Sequence, residues 1–145
     1  MSRNDAALVV PVVPLWLRGV LVLGIAGTLL FFSIVPAPGS GTLRYGPLGL
    51  VPYSMWLHLL GYAGFAFVLG YTLRVRKRTI TRLIGPLLGA AAFGIGIELL
   101  QATIPTRSFS TADMAVNFLG AVLGLGAWLV IERFATFWEL KTSSI

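Results

Sequence analysis

The segment "IELLQATIPTRSFSTADMAVNFLG", residues Ile97 to Gly120, contains the end of one apolar stretch, a short polar loop and the start of a second apolar stretch. Only 11% of the 145 residues are charged and 57% are hydrophobic, which is typical of a protein embedded in lipid. Against that background the segment concentrates three ionisable groups and two amides: Glu98, Arg107 and Asp113, with Gln101 and Asn117.

Four apolar stretches have the length that a helix needs to cross a membrane. About 20 residues at ~1.5 Å per residue span the hydrocarbon. The stretches are close to this length and cover residues 15–35, 54–73, 83–104 and 112–134. We therefore predict an all-α membrane protein, a compact bundle of four transmembrane helices that forms a single domain over residues 1–145.

The basic residues predict the orientation of the bundle. The net charge is +6, and five of the eleven Lys and Arg residues lie in "RVRKRTITR", Arg74 to Arg82. A basic loop between two spans more often stays in the cytoplasm than binds a polyanion, so no nucleic-acid partner is expected. Both termini are then cytoplasmic in the cell membrane, and the loops 36–53 and 105–111 lie outside. The tail, residues 132–141, is expected in the inner interface.

Composition also limits the chemistry. The chain contains no cysteine, which excludes disulfides, thiol nucleophiles and thiolate metal sites. A single histidine excludes a multi-histidine metal site and leaves only a combination of His58, Glu98 and Asp113. We expect no bound metal and no cofactor. The spacing of Gly120 and Gly124 favours close helix packing, and a homo-oligomer is left open.

The predicted topology brings the polar side chains to the outer half of the membrane. Glu98 lies about 9 Å inside the outer boundary, since helix rise is ~1.5 Å per residue. Helix four begins with "STAD", Ser110 to Asp113, which fits a capping box. "HLLGY" places His58 and Tyr62 on one face of helix two. A charge near the membrane centre costs on the order of 3 kcal/mol, so these groups should face one another or a wet pocket.

The residue types suggest a site for acid–base chemistry on an anionic ligand. Glu98 or Asp113 could act as a general base, His58 could move a proton, and Arg107 could hold a phosphate or carboxylate. Gln101, Asn117 and Tyr62 are predicted to bind substrate. The possible nucleophiles are Ser108, Ser110, Thr111 and Tyr62.

Structural interpretations of the same residues stay open. Asp113 could serve only to cap helix four, and Arg107 could anchor the chain at the interface or neutralise acidic groups. His58 and Tyr62 could be packing residues, and Gln101 and Asn117 could only bridge helices.

The pattern from helix two to helix four resembles the VanZ-like membrane protein family. The resemblance rests on His58 and Tyr62 in "HLLGY" and on the segment "ELLQATIPTRSFSTADMAVNFLGAVLG", and it covers about Ser54 to Gly124. The chain departs from the family where an Asp-Lys pair is common, since Ser54 and Met55 stand there. The resemblance implies a four-span protein of the cell membrane, and some relatives are similar to the protein named for low-level teicoplanin resistance.

Three functions are compatible with the sequence. The first is an enzyme-like site that acts on a lipid or lipid-linked molecule of the cell envelope at the outer membrane face. The second is a non-enzymatic binder or transporter of a lipid or amphiphile, although four spans are few for a transporter. The third is a structural or partner-binding protein in which the polar groups fix helix packing. Enzyme status is open at this stage.

Overall fold

The computed structural model describes residues 8–35, 45–73, 79–105, 107 and 109–139. Within these ranges the elements follow the order β1, α1, α2, α3, α4 and β2, and a turn of 3-10 helix, Pro47–Gly49, precedes α2. The strands are β1 Leu8–Val12 and β2 Ala135–Glu139, and the helices are α1 Leu15–Ile34, α2 Tyr53–Thr72, α3 Thr79–Gln101 and α4 Thr111–Phe134.

All four helices are long and apolar enough to cross a membrane, with spans Leu15–Ile34, Tyr53–Thr72, Leu83–Gln101 and Thr111–Phe134. Large apolar side chains cover their outer surface. Leu23, Leu88 and Val130, for example, are 73%, 63% and 59% exposed. Such a surface suits contact with lipid tails rather than water. The prediction of an all-α membrane bundle of four helices is confirmed.

The closest packing in the bundle is between α2 and α4. Gly120 and Gly124 of α4 lie directly against the backbone carbonyls of Leu59 and Ala63 of α2, where a side chain would not fit. The small-residue spacing therefore has the packing role that the sequence predicted. A small core of Phe65, Ala66, Ala90 and Ala121 fills the centre, and α1 packs mainly on α2.

Helix α3 ends three residues before the expected boundary at residue 104. The N–H groups of Thr103 and Ile104 bond to Leu100 and Gln101, three residues back, which tightens the last turn. Pro105 follows, and the residue before a proline disfavours the helical conformation. At its other end α3 already begins at Thr79, within the segment predicted as a basic loop; residues 74–78 lie outside the described residues.

The two strands were not predicted. β1 and β2 pair in parallel, from Leu8 opposite Ala135 to Val12 opposite Glu139. Residues 135–139 of the tail form a strand, and the expected location of the tail in the inner interface stays a prediction. The pairing joins segments that are far apart in the chain, so local periodicity carries no signal for it.

The contacts define two ends of the bundle. One end, which we call the strand end, carries β1, β2 and Tyr71 of α2, whose hydroxyl group accepts from Val13 N–H at 2.9 Å and donates to Pro11 O at 2.8 Å. The other end, which we call the polar end, contains the end of α1, the start of α2, the end of α3 and the start of α4. With four spans, both described chain ends lie on the same side of the bundle.

Candidate functional site

Glu98 is the central residue of the polar end. It lies in the last turn of α3 and its side chain is 0% exposed. One carboxylate oxygen, Oε2, accepts the backbone N–H of Ser110 at 3.0 Å. The other, Oε1, is buried and has no hydrogen-bond partner among the described residues. Burial of a half-satisfied carboxylate is costly, so stability alone does not account for it.

Ser110 explains how α4 begins and why Glu98 lies beside it. The Ser110 hydroxyl accepts the backbone N–H of Asp113 at 3.1 Å, which is the N-cap predicted from the sequence. In a full capping box the Asp113 carboxylate would accept a hydrogen bond from the Ser110 N–H. The Glu98 carboxylate accepts that hydrogen bond instead. Asp113 is therefore left half-buried, and its carboxylate has no hydrogen bond within the described part of the chain.

His58 and Asn117 join α2 to α4. His58 Nδ1 lies 3.0 Å from Asn117 Oδ1, and Asn117 is 3% exposed. Since an amide oxygen only accepts, the neutral imidazole donates from Nδ1 in this arrangement, which leaves Nε2 as its basic nitrogen. The Asn117 amide nitrogen is buried and unpaired among the described residues. The pair thus offers one free acceptor and one free donor.

Tyr62 lies deeper between α2 and α3. It is 1% exposed, and its hydroxyl has no partner within the described ranges. The ring fits against Gly94 of α3, where an added Cβ would lie 3.3 Å from the hydroxyl oxygen. Gly94 is one turn before Glu98 on α3. Glycine at this position leaves room for the phenol ring against α3.

Gln101 and Arg107 point to a different place from the other predicted site residues. Gln101 Nε2 donates to the carbonyl of Ser33 at 2.9 Å, and Arg107 Nη2 donates to the carbonyl of Val35 at 3.0 Å. Both carbonyls are at the end of α1, where they lack helical partners. These two side chains attach α1 to the polar end. Substrate binding by Gln101 and a catalytic role for Arg107 stay predictions.

Charge pairing does not explain the cluster. Among the described residues Arg107 forms no ion pair with Glu98 or Asp113, and its Nε is buried without a partner. In the described part of the chain, no group of three or more His, Cys, Asp or Glu side chains is placed so that it could hold a metal ion. Carboxylate, imidazole and amide groups of this kind can transfer protons and form hydrogen bonds to a ligand.

A cavity of about 150 Å³ adjoins the cluster between α3 and α4. Asn117 and Gly94 contribute to its wall, together with apolar residues, so that the full lining is Ala91, Gly94, Ile95, Met114, Asn117 and Phe118. The sequence did not predict this cavity. The sequence indicates the cavity only through the small residues Ala91 and Gly94, which are at helical spacing from Glu98. This pattern can be interpreted only once the pairing of α3 with α4 is known.

The structure also adds residues that the sequence did not select for these contacts. Ser33 and Val35 contribute backbone carbonyls, which no side-chain pattern indicates. Ser110 was predicted as a cap and a possible nucleophile, but its bond to Glu98 requires the loop after α3 to fold back. Ser108, another possible nucleophile, lies outside the described residues.

The fold and the cluster together define a multi-pass membrane protein with a buried polar site at one end of four helices. The model of the VanZ/LLP1 family matches residues 20–132, which is well over half of the chain, and the protein belongs to that family. The match includes most of α1 and so extends beyond the region of the resemblance noted in the sequence. No curated protein and no solved structure matches the chain significantly.

Proposed function

We propose that this protein binds a lipid or lipid-linked molecule of the cell envelope at its polar end and acts on it at the outer face of the cell membrane. The observation that carries the proposal is a group of buried polar atoms on three helices that have no hydrogen-bond partner among the described residues. They are the Tyr62 hydroxyl on α2, Glu98 Oε1 on α3 and the Asn117 amide nitrogen on α4.

The energetic argument is that these atoms need partners. Leaving one buried polar group without a hydrogen bond costs about 1–3 kcal/mol, and such groups are rare in native proteins. The Tyr62 hydroxyl, the Glu98 oxygen and the Asn117 amide nitrogen each carry this cost in the described part of the chain. A ligand that accepts from Tyr62 and Asn117 and donates to Glu98 would satisfy all three. A hydroxyl group of an envelope lipid can both donate and accept, whereas ester and ionised phosphate oxygens can supply only the acceptors.

The same residues support a reaction as well as binding. Glu98 can take a proton from a ligand hydroxyl or from water, because Oε1 is free while Oε2 is fixed by Ser110. His58, oriented through Nδ1 by Asn117, presents Nε2 for proton transfer. Asp113 adds a second carboxylate nearby. Arg107 has N–H groups beyond the one bound to Val35, with which it can hold an anionic group.

The side of the membrane follows from the basic segment between α2 and α3. Arg and Lys near membrane spans favour the cytoplasmic side, which puts the strand end and both termini inside and the polar end outside. An outward site has access to envelope lipids and their linked precursors. The association of the family with glycopeptide resistance is in keeping with such a substrate.

One observation favours a second candidate, a structural role for the cluster. Glu98 Oε2, Gln101 and Arg107 each bind a backbone group of another element. On that alternative the polar groups hold α1, α3 and α4 in register, and the protein serves as a membrane partner protein. A binder or transporter that does not alter its ligand lies between the two, since it uses the same unpaired atoms.

The test compares the envelope lipids of cells that lack the protein with those of cells that receive wild type, Glu98→Gln or Asp113→Asn. Glu132→Gln provides the matched control, because it is the same chemical change at the strand end. Membrane abundance of each variant is measured in the same cells.

We expect one lipid species to accumulate or disappear in cells with Glu98→Gln, at normal abundance of the protein, and not in cells with Glu132→Gln. A lipid that copurifies unchanged with wild type, without any change in the profile, would indicate binding without reaction. Loss of abundance together with an unchanged lipid profile would instead support the structural role.

A further inference from the structure

The cavity between α3 and α4 is lined by residues of the two candidate membrane spans Leu83–Gln101 and Thr111–Phe134. Its deepest lining residue on α3, Ala91, is ten residues before the end of the helix at Gln101, or about 15 Å at ~1.5 Å per residue. On α4 the lining runs from Met114 to Phe118, in the second turn. The cavity therefore extends from just inside the polar end toward the membrane centre.

The cavity opens toward lipid rather than toward the bundle core. Ile95 and Phe118, which form part of its wall, are 43% and 49% exposed on the outer surface of the spans. In a membrane, hydrocarbon chains surround these side chains. The mostly apolar lining is compatible with a hydrocarbon occupant, and a cavity of ~150 Å³ is known to accept a small apolar molecule.

One wall of the cavity is polar and has unused hydrogen-bonding capacity. Asn117 lines it, is 3% exposed, and has an amide nitrogen without a partner in the described part of the chain. Gly94 forms the facing wall, and the unpaired Tyr62 hydroxyl lies against that glycine. A purely apolar gap between helices needs neither donor. The Asn117 donor, which lines the cavity, becomes useful if the occupant has an oxygen atom.

The cavity also has a fixed relation to the proposed site. Gly94 and Ile95 precede Glu98 by four and three residues, so the carboxylate lies on the same side of α3, one turn nearer the polar end. A molecule with its chain in the cavity would have its head group beside Glu98, His58 and Asp113. This is the natural order of an amphiphile in a membrane, with its chain toward the centre and its head toward water.

We propose that this cavity binds one hydrocarbon chain of a membrane lipid, entering sideways from the bilayer, with Asn117 donating to an oxygen where the chain joins the head group. The inference rests on the proposed function, for which it names the substrate class: a single chain linked through oxygen to a polar head. A lipid chain that moves from the bilayer into an apolar cavity gains little hydrophobic free energy, because both surroundings are apolar. Recognition therefore depends on the fit of the chain and on hydrogen bonding to the polar wall.

The test uses lipids with a photoreactive diazirine in the chain, added to the purified full-length protein in lipid nanodiscs. One probe is a phosphatidylglycerol labelled in one acyl chain, and the other is a polyprenyl phosphate labelled in its isoprenoid chain. After illumination and digestion, mass spectrometry locates the label. We expect label on the α4 peptide that contains Met114 and Phe118, and the probe that produces it identifies the type of chain.

Matched variants separate binding in the cavity from general contact with lipid. Ala91→Leu fills the cavity, whereas Ala92→Leu places the same side chain on the exposed neighbouring face of α3. We expect Ala91→Leu to lower the labelling of the α4 peptide by about tenfold, which corresponds to ~1.4 kcal/mol, since the leucine side chain takes the space of the lipid chain. Ala92→Leu should leave it unchanged. Phe118→Trp narrows the opening of the cavity from the side of α4. This variant replaces Ala91→Leu in the experiment if Ala91→Leu does not fold.

Two results would overturn the inference. In the first, both cavity variants leave the labelling of the α4 peptide unchanged. In the second, both probes label the exposed helix faces evenly. The outcome is separate from that of the lipid-profile experiment. Label in the cavity with an unchanged lipid profile would keep the binding site and reject the reaction. A changed profile without label in the cavity would keep the reaction and reject this chain site.

Discussion

Replacing Gly124 by alanine tests the close contact between α2 and α4 on which the polar end depends. An alanine Cβ at this position would lie 2.7 Å from the Cα of Ala63 and closer still to its carbonyl oxygen. The obstructing atoms belong to backbone, so no side chain can rotate away. Since apolar atoms pack at about 4 Å, α2 and α4 would have to separate by roughly 1 Å.

The cost follows from that separation. Overpacking of a tight interface costs about 1–3 kcal/mol, and a gap of ~0.5–1 Å forfeits a quarter to a half of the dispersion attraction between the facing atoms. We take the upper value of ~3 kcal/mol because the clash is with backbone. Alanine regains ~1 kcal/mol of helix propensity over glycine. The free energy of unfolding of Gly124→Ala should therefore fall by about 2 kcal/mol.

Gly126→Ala is the matched control, two residues along the same helix. An added Cβ there meets nothing within 4 Å, so the helix-propensity gain is unopposed. Reversible unfolding of both variants and wild type in the same detergent micelles measures the difference. Equal stabilities for Gly124→Ala and Gly126→Ala would refute the reasoning, because the two changes differ only in what the new methyl group contacts.

Three further changes probe the contacts around the bundle. Gln101→Leu removes the donor to Ser33 and should lower the free energy of unfolding by about 0.6–1.7 kcal/mol, as for other hydrogen bonds within membranes; an unchanged unfolding curve would contradict that bond. Ser110→Ala removes the cap of α4 and should cost ~1 kcal/mol, whereas Ser110→Asp should retain most of the stability, and equal losses would count against the cap. Tyr71→Phe should speed amide hydrogen exchange at Val13 by about tenfold, since a lost bond is worth ~1–1.5 kcal/mol, and unchanged exchange would show that β1 is held by other contacts.

The sequence predicts those features of this protein that depend on local pattern. Length and hydropathy place the four spans, because crossing a bilayer requires a long apolar helix. Ser110 and Asp113 locate the start of α4 through their spacing. The small residues Gly120 and Gly124 indicate a close helix contact. Each of these signals lies within one continuous segment of the chain, so no knowledge of the tertiary structure is needed to read it.

The pairings between elements could not be predicted in the same way. The bond between Glu98 and Ser110 displaces the Asp113 carboxylate from its expected place, and it depends on where α3 ends and how the following loop folds back. His58 contacts Asn117 only because the packing of α2 against α4 brings the two residues to the same level along the helix axes. Gln101 binds a backbone carbonyl of α1, which carries no residue-specific signal. Distant contacts of this kind are decided by packing, not by periodicity.

The most direct test of the account is the thermal stability of purified Glu98→Gln, measured beside its ability to restore the wild-type envelope lipid profile in cells that lack the protein. Glutamine keeps an oxygen that can accept the Ser110 N–H and has nearly the same shape, but it cannot take up a proton as a base. The account predicts a Tm close to that of wild type and a profile that is not restored. A lowered Tm with a restored profile would show that Glu98 is there to hold the helices together.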